Sequence, residues 1–173
     1  MKRILLIRHA DSNWEVKNKK DFDRALSQQG KEEAELMGNR LFTDKIVPDI
    51  FYCSSSKRTK DTCKIISNKV KRDIDIICSL ELYSDTYNSI MDLICKAPKE
   101  SSFISIVAHN PHIHNIYNSI CRNSSPPKRE IFKFPTCGAM LIENDVDTWK
   151  EFNLLTSIIV TFDAPNRENI IYK

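Results

Sequence analysis

Glycine is scarce in this chain: Gly30, Gly38 and Gly138 are the only three in 173 residues. A P-loop or a dinucleotide fingerprint needs two or three closely spaced glycines so that the backbone can approach a phosphate, and neither motif is present. Any phosphate bound here must be held mainly by side-chain cations. Long apolar runs are missing too, and none approaches the ~18 residues a membrane span requires. Met1-Lys2-Arg3 and the short apolar run after it are too brief for a signal peptide. Charge of one sign is not in excess: the formal net charge is +3. No basic cluster is interleaved with aromatics, which argues against a nucleic-acid partner. Lys17-Asn18-Lys19-Lys20 reads as a solvated loop. The six cysteines, Cys53, Cys63, Cys78, Cys95, Cys121 and Cys137, contain no C-x-x-C pair. That spacing weighs against a zinc cage and suits a reducing compartment in which thiols pack as small apolar groups. The expectation is a cytoplasmic protein with no metal, no cofactor and no membrane contact.

The composition that is present, 41% hydrophobic and 28% charged, is ordinary for a globular domain. The length suits one domain spanning residues 1–173. Ile4–Ile7 reads as a short buried strand that ends abruptly in Arg8-His9. After a polar stretch, Ser27 is positioned to cap a helix over Gln28–Phe42, with Pro48 as its stop. Trp14, within that stretch, suits either a pocket wall or packing against the sheet. Asp49–Cys53 forms a second strand, and Ser54-Ser55-Ser56 opens a helix with Arg58 in or near its first turn. An arginine there opposes the helix dipole, so its position calls for another reason, such as an anion shared with the helix N-terminus.

Ile74–Ile77 reads as a third strand, Glu81–Asp85 as a loop, and Tyr87–Lys96 as a helix stopped by Pro98. Phe103–Ala108, apolar and β-branched, is the clearest strand in the chain. It runs into His109-Asn110-Pro111, where Asn110 is suited to cap a helix and Pro111 to begin it. Arg122–Lys133 has surface-loop composition, Ala139–Ile142 is a strand, and Trp149–Phe162 holds one or two more that close the sheet. The pattern predicts an α/β fold, a three-layer αβα sandwich whose mostly parallel central sheet has an antiparallel edge strand.

Arg8, His9, Arg58 and His109 all fall at a strand's C-terminal end or in the turn after it, and in a parallel sheet those ends share one side. Two guanidinium groups suit a phosphoryl group, being planar, permanently charged and bidentate. One imidazole nitrogen can attack phosphorus while the other ring donates to a phosphoryl oxygen. Two arginines nearby should disfavour protonation of His9 and leave it nucleophilic. A metal cluster from His109, His112 and His114 is disfavoured, because residues two apart on a helix point about 200° apart.

Leu6-Ile7-Arg8-His9-Ala10 resembles the R-H-G or R-H-A signature of the histidine phosphatase superfamily, and especially its small SixA-like phosphohistidine phosphatase branch. Arg8 to Trp14 is similar to that branch's R-H-A-x-S-x-W, and Asp23 to Gly30 to its D-R-x-L-x-x-x-G. Ser54 to Thr62 resembles S-P-x-x-R-x-x-x-T, with Ser55 in place of the proline. Ala108-His109-Asn110-Pro111 resembles G-H-N-P, and Thr136-Cys137-Gly138 falls where the family has a T-G segment. The resemblance implies a phosphoglycerate mutase-like fold and a metal-independent phosphatase. In it His9 becomes phosphorylated, Arg8 and Arg58 grip the phosphoryl group, and His109 completes the pocket. Ser12, inside the first motif, joins the phosphate-binding set. Glu81 lies where larger members carry the acid that protonates the leaving group, and is equally suited to be a solvent-exposed carboxylate.

By that resemblance the substrate is a phosphohistidine on a phosphotransfer protein. An imidazole leaving group needs less acid assistance than an alkoxide. Two other readings use the same four residues. One is a phosphomonoesterase or mutase on small phosphorylated metabolites, against which the modest loop at residues 78–86 argues. The other is a non-catalytic module that binds phosphorylated residues.

Overall fold

A computed structural model describes residues 1–13, 20–70, 73–84 and 87–173. Trp14, Lys17 to Lys19 and Asp85 lie outside the described residues. In chain order the elements are β1 (Lys2–Arg8), α1 (Gln28–Thr43), β2 (Ile50–Ser54), α2 (Lys57–Lys69), β3 (Asp75–Ser79) and α3 (Glu81–Ser84). They continue with α4 (Tyr87–Cys95), β4 (Phe103–Ala108), α5 (His112–Asn123), β5 (Ala139–Asn144) and β6 (Ile158–Asp163). The sheet order is β3-β2-β4-β1-β5-β6. The first four of these strands are mutually parallel, β5 runs antiparallel to β1, and β6 runs antiparallel to β5. The mostly parallel sheet with an antiparallel edge is therefore present, and helices cover both faces.

The inner strands are apolar at nearly every position because both faces are covered. Alternation sorts their side chains. Leu5 and Ile7 of β1 and Phe51 of β2 pack on Ala34, Met37 and Leu41 of α1 and Cys63 and Ile66 of α2. Ile4 and Leu6 of β1 and Ile104 and Ile106 of β4 face the other way, onto Ile90 and Ile94 of α4 and Ile113, Ile116 and Ile120 of α5. The two cores fix the strand ends that carry the polar residues of interest. Among the described residues, no helix is long and apolar enough to cross a membrane.

Several local expectations need correction. Residues 81–84 are not loop but the single-turn helix α3, too short for any periodicity to show in sequence. Helix α1 ends at Thr43, ahead of Pro48, where Lys45 adopts a left-handed φ of 57°. Asn110 does not cap α5; its amide donates instead to the Phe134 carbonyl, at 3.0 Å. The segment from Trp149 to Phe162, by contrast, yields one strand, within the one or two expected, and its Trp149 and Phe152 are buried core residues outside that strand. Ile131, inside the stretch read as surface loop, is fully buried.

Candidate active site

The neighbouring order β2-β4-β1 brings three parallel C-terminal ends together. Arg8 closes β1 and His9 follows it, Ser54 closes β2 with Arg58 in the first turn of α2, and His109 follows β4. The backbone at the signature is held from both sides. The His9 N–H donates to the Ala108 carbonyl at 3.0 Å, and the Cys137 N–H donates to the His9 carbonyl at 3.2 Å. Arg8, His9, Arg58 and His109 line one cavity of about 290 Å³, with Ser12, Asp11, Asp21, Arg24, Asn110 and Thr136 completing its wall.

His9 is buried, and its Nδ1 lies 2.7 Å from the Ala10 carbonyl. A carbonyl only accepts, so Nδ1 carries the proton and the lone pair of the neutral ring is on Nε2. Burial drives the His9 pKa well below 6.5, with the nearby His109, Arg8 and Arg58 adding to the effect. The direction expected from the arginines is right, but desolvation outranks them. The His9 and His109 ring centroids are 5.2 Å apart.

His109 is engaged at both nitrogens. The Arg58 guanidinium lies 3.3 Å from Nδ1 and can only donate, which leaves Nε2–H to donate to the Ser54 hydroxyl at 2.8 Å. Burial first, then Arg58, lowers the His109 pKa to about 3. Arg58 in turn donates to the Asp21 carbonyl at 2.7 Å and to its carboxylate at 3.0 Å. The Tyr83 hydroxyl and Arg24 reach the same carboxylate at 3.0 and 3.2 Å. Burial opposes ionisation of Asp21, but Arg58, Tyr83 and Arg24 outweigh it and hold the carboxyl below its usual range. The Nε atoms of Arg8 and Arg58 are buried without a hydrogen-bond partner among the described residues. Buried, unpaired cationic donors beside a cavity suit an anion.

A supporting layer fixes these groups. The Thr62 hydroxyl accepts from the Ala10 N–H at 3.1 Å and donates to the Arg58 carbonyl at 2.7 Å, tying the β1 motif to α2. The Ser27 hydroxyl caps α1 at the Gly30 N–H, at 2.9 Å, and donates to the Asp11 carboxylate at 2.6 Å. Ser54 and Thr62 lie inside the motif quoted from the sequence, although neither was given a role there. Asp21 and Tyr83 were missed outright. The closeness of Asp21 to the Asp23-Arg24 motif was the one available signal.

Ser12 is buried in the cavity wall. Glu81 is exposed at the start of α3 and does not line the cavity, whereas Tyr83 on the same turn stacks edge-on against His109, with centroids 5.9 Å apart. His112 is half-buried at the start of α5, also outside the cavity lining, and His114 Nε2 lies 3.3 Å from the Asn118 amide.

Residues 4–83 match the family model for the histidine phosphatase superfamily (branch 1). Solved structures agree along almost the whole chain. One assigned as the phosphohistidine phosphatase SixA of Agrobacterium tumefaciens is 24% identical with a TM-score of 0.77, covering 95% of this chain and 98% of that one. The two chains share one fold. The protein histidine phosphatase SixA solved with tungstate has the same fold, with a TM-score of 0.75 at 17% identity over 94% of this chain and 97% of that one. An uncharacterised chloroplastic protein of Arabidopsis thaliana is 24% identical over 159 residues, which cover 87% of this chain and 70% of that protein. The 2,3-bisphosphoglycerate-dependent phosphoglycerate mutase of Arthrobacter sp. (strain FB24) is 36% identical over 72 residues. That match covers 40% of this chain but 29% of the mutase, so the chain spans under a third of that relative.

Proposed function

We propose that this protein is a phosphatase working through a covalent phosphohistidine on His9, and that its substrate is a phosphohistidine presented by another protein. The observation that carries the reading is the orientation of His9. Its Nδ1 is committed to the Ala10 carbonyl, and its free Nε2 belongs to a ring that shares one cavity with Arg8, Arg58 and His109. In the first step His9 Nε2 bonds to phosphorus as the N–P bond of the substrate breaks. The departing imidazole keeps the bonding pair and takes its proton from solvent water. In the second step water attacks phospho-His9, releases inorganic phosphate and restores the free ring. Arg8 and Arg58 stabilise the spreading negative charge, which is most of what phosphoryl transfer asks of a protein. A dianion beside His109 raises that ring's pKa, so His109 can gain a proton and donate to a phosphoryl oxygen once substrate is in place.

The choice of an N–P bond is supported by the state of the carboxylates. Asp21 is ionised and bound to Arg58, the Asp11 carboxylate accepts from the Ser27 hydroxyl, and Glu81 lies outside the cavity lining. None of the three is poised to protonate a basic leaving group, and imidazole demands less help than an alkoxide. The partial match to phosphoglycerate mutases favours a second reading, a phosphomonoesterase on small metabolites.

The deciding experiment is His9→Ala, assayed with chelator controls on phosphohistidine substrates and on sugar phosphates. The variant should lose on the order of 10³ or more in kcat, and wild type exposed to phosphohistidine should retain phosphate in acid-labile linkage on His9. EDTA should leave wild-type turnover intact. Undiminished turnover in the variant, or loss of wild-type activity to EDTA, overturns the reading, and a preference for sugar phosphates selects the second one.

A further inference from the structure

Beside the catalytic cavity is a second hollow of about 280 Å³, and the two share Arg8 and Thr136 as walls. The other walls come from two segments distant in sequence: Phe132, Lys133 and Pro135 after α5, and Asn169 and Ile171 after β6. These segments are laced together as a short antiparallel ribbon. The Phe132 N–H donates to the Ile171 carbonyl at 3.0 Å, the Lys173 N–H donates to the Glu130 carbonyl at 2.9 Å, and Ile131 bridges to Tyr172. Alternation along the ribbon buries Ile131 completely and turns Phe132 outward, 64% exposed, next to Ile171 at 59%. Two large apolar side chains held in water by backbone pairing, lining a hollow that shares Arg8 with the catalytic cavity, mark a contact surface more than a solvated loop.

The charges at this surface are also one-sided. The Glu130 carboxylate is occupied by Arg122 at 2.7 Å and Lys173 at 3.2 Å. Lys133 is exposed and has no carboxylate partner among the described residues. The hollow therefore presents apolar surface and one available cation, on the far side of an arginine that also faces the phosphoryl site. A substrate whose phosphoryl group lies on one side of Arg8 has its nearest continuation on the other.

We propose that this hollow is a specificity subsite that takes the residues flanking the phosphorylated side chain of a protein substrate, an apolar residue against Phe132 and Ile171 and an acidic one on Lys133. The proposal rests on the phosphatase reading above and adds to it which protein surfaces are accepted. The test compares two histidine peptides phosphorylated with phosphoramidate, one with leucine and glutamate on each side of the histidine and one with glycine there. Free phosphohistidine is the third substrate. Wild type should prefer the leucine–glutamate peptide over the glycine peptide by about tenfold in kcat/KM. Phe132→Ala and Ile171→Ala should each erase much of that preference, and Lys133→Glu should turn it against the acidic peptide. All three should lose far less on free phosphohistidine. No discrimination by wild type, or equal losses on every substrate in the variants, overturns the subsite. Formation of phospho-His9 separates the two ideas: if it forms without discrimination only the subsite falls, and if it never forms both do.

Discussion

His109 shows how far contacts, and not residue type, decide chemistry at the scale of one side chain. Its ring donates to Ser54 and accepts from Arg58, so the neutral form is the one that fits. Both His9 and His109 have folded-state pKa values below the ordinary 6.5, His109 at about 3. The unfolded chain therefore binds more protons than the folded one as pH falls from about 6.5 toward 3. Stability from these two rings is fully present above pH 6.5 and is lost through that window. Thermal melts from pH 7 to 5 should show a falling midpoint, with His109 worth ~2 kcal/mol by pH 5 and His9 acting in the same direction. His109→Asn should flatten the slope, because it deletes one of the two titrations, whatever it does to the midpoint at pH 7. An equally steep slope in the variant would mean that His109 titrates alike in the folded and unfolded chains. Arg8, His9, Arg58 and His109 were legible in the sequence because each follows a recognisable strand or opens a recognisable helix. Asp21 was not, since one aspartate in a charge-rich stretch carries no pattern until Arg58, Arg24 and Tyr83 are seen converging on it.

At the scale of elements, the motif Asp23 to Gly30 works as a clamp between α1 and the β1 loop. Ser27 caps the helix and binds Asp11, Glu33 accepts from the Asp11 N–H at 2.9 Å, and the Ser27 N–H donates to the Asp11 carbonyl at 3.1 Å. Gly30 sits where a Cβ would collide with that same Asp11 carbonyl and lie 2.8 Å from its carbon. The neighbour here is backbone, two residues beyond His9, and it cannot swing aside as a side-chain tip would. Gly30→Ala should therefore displace the Asp11–Ser12 segment and lower kcat/KM by about tenfold or more, on the scale of an overpacked site. Circular dichroism should remain native, because α1 itself tolerates alanine. Full activity would show that the β1 loop can shift without disturbing the pocket. The β-branched, doubly buried strands and the long amphipathic helices were legible because their periods are strong. Helix α3 was not, with four residues and one buried side chain, Leu82, and it is the element that brings Tyr83 over the site.

At the scale of the whole molecule, sheet order was the least legible feature. That β4 would lie between β2 and β1, and β5 beside β1, is a matter of long-range pairing that local pattern does not encode. Yet that order makes the pocket, because it gathers the β1, β2 and β4 ends. The result is a field far stronger than the net charge of +3 suggests. Arg8, Arg24 and Arg58 surround one cavity that contains the carboxylates of Asp11 and Asp21. Asp21 spends its charge on Arg58, so an incoming anion must compete with it. Asp21→Asn keeps an acceptor oxygen for Arg58 and leaves the backbone carbonyl bond at 2.7 Å untouched, while one negative charge disappears. Calorimetric titration with inorganic phosphate should show affinity rising by about threefold to tenfold in the variant, a fraction of the Coulomb energy of unit charges several ångströms apart near a surface. The gain should be larger at 20 mM than at 200 mM salt, where screening shortens the reach of the removed charge. Weaker binding at both salts would mean that Asp21 matters as the strut that holds Arg58 in place, and that the arginine without it no longer faces the anion.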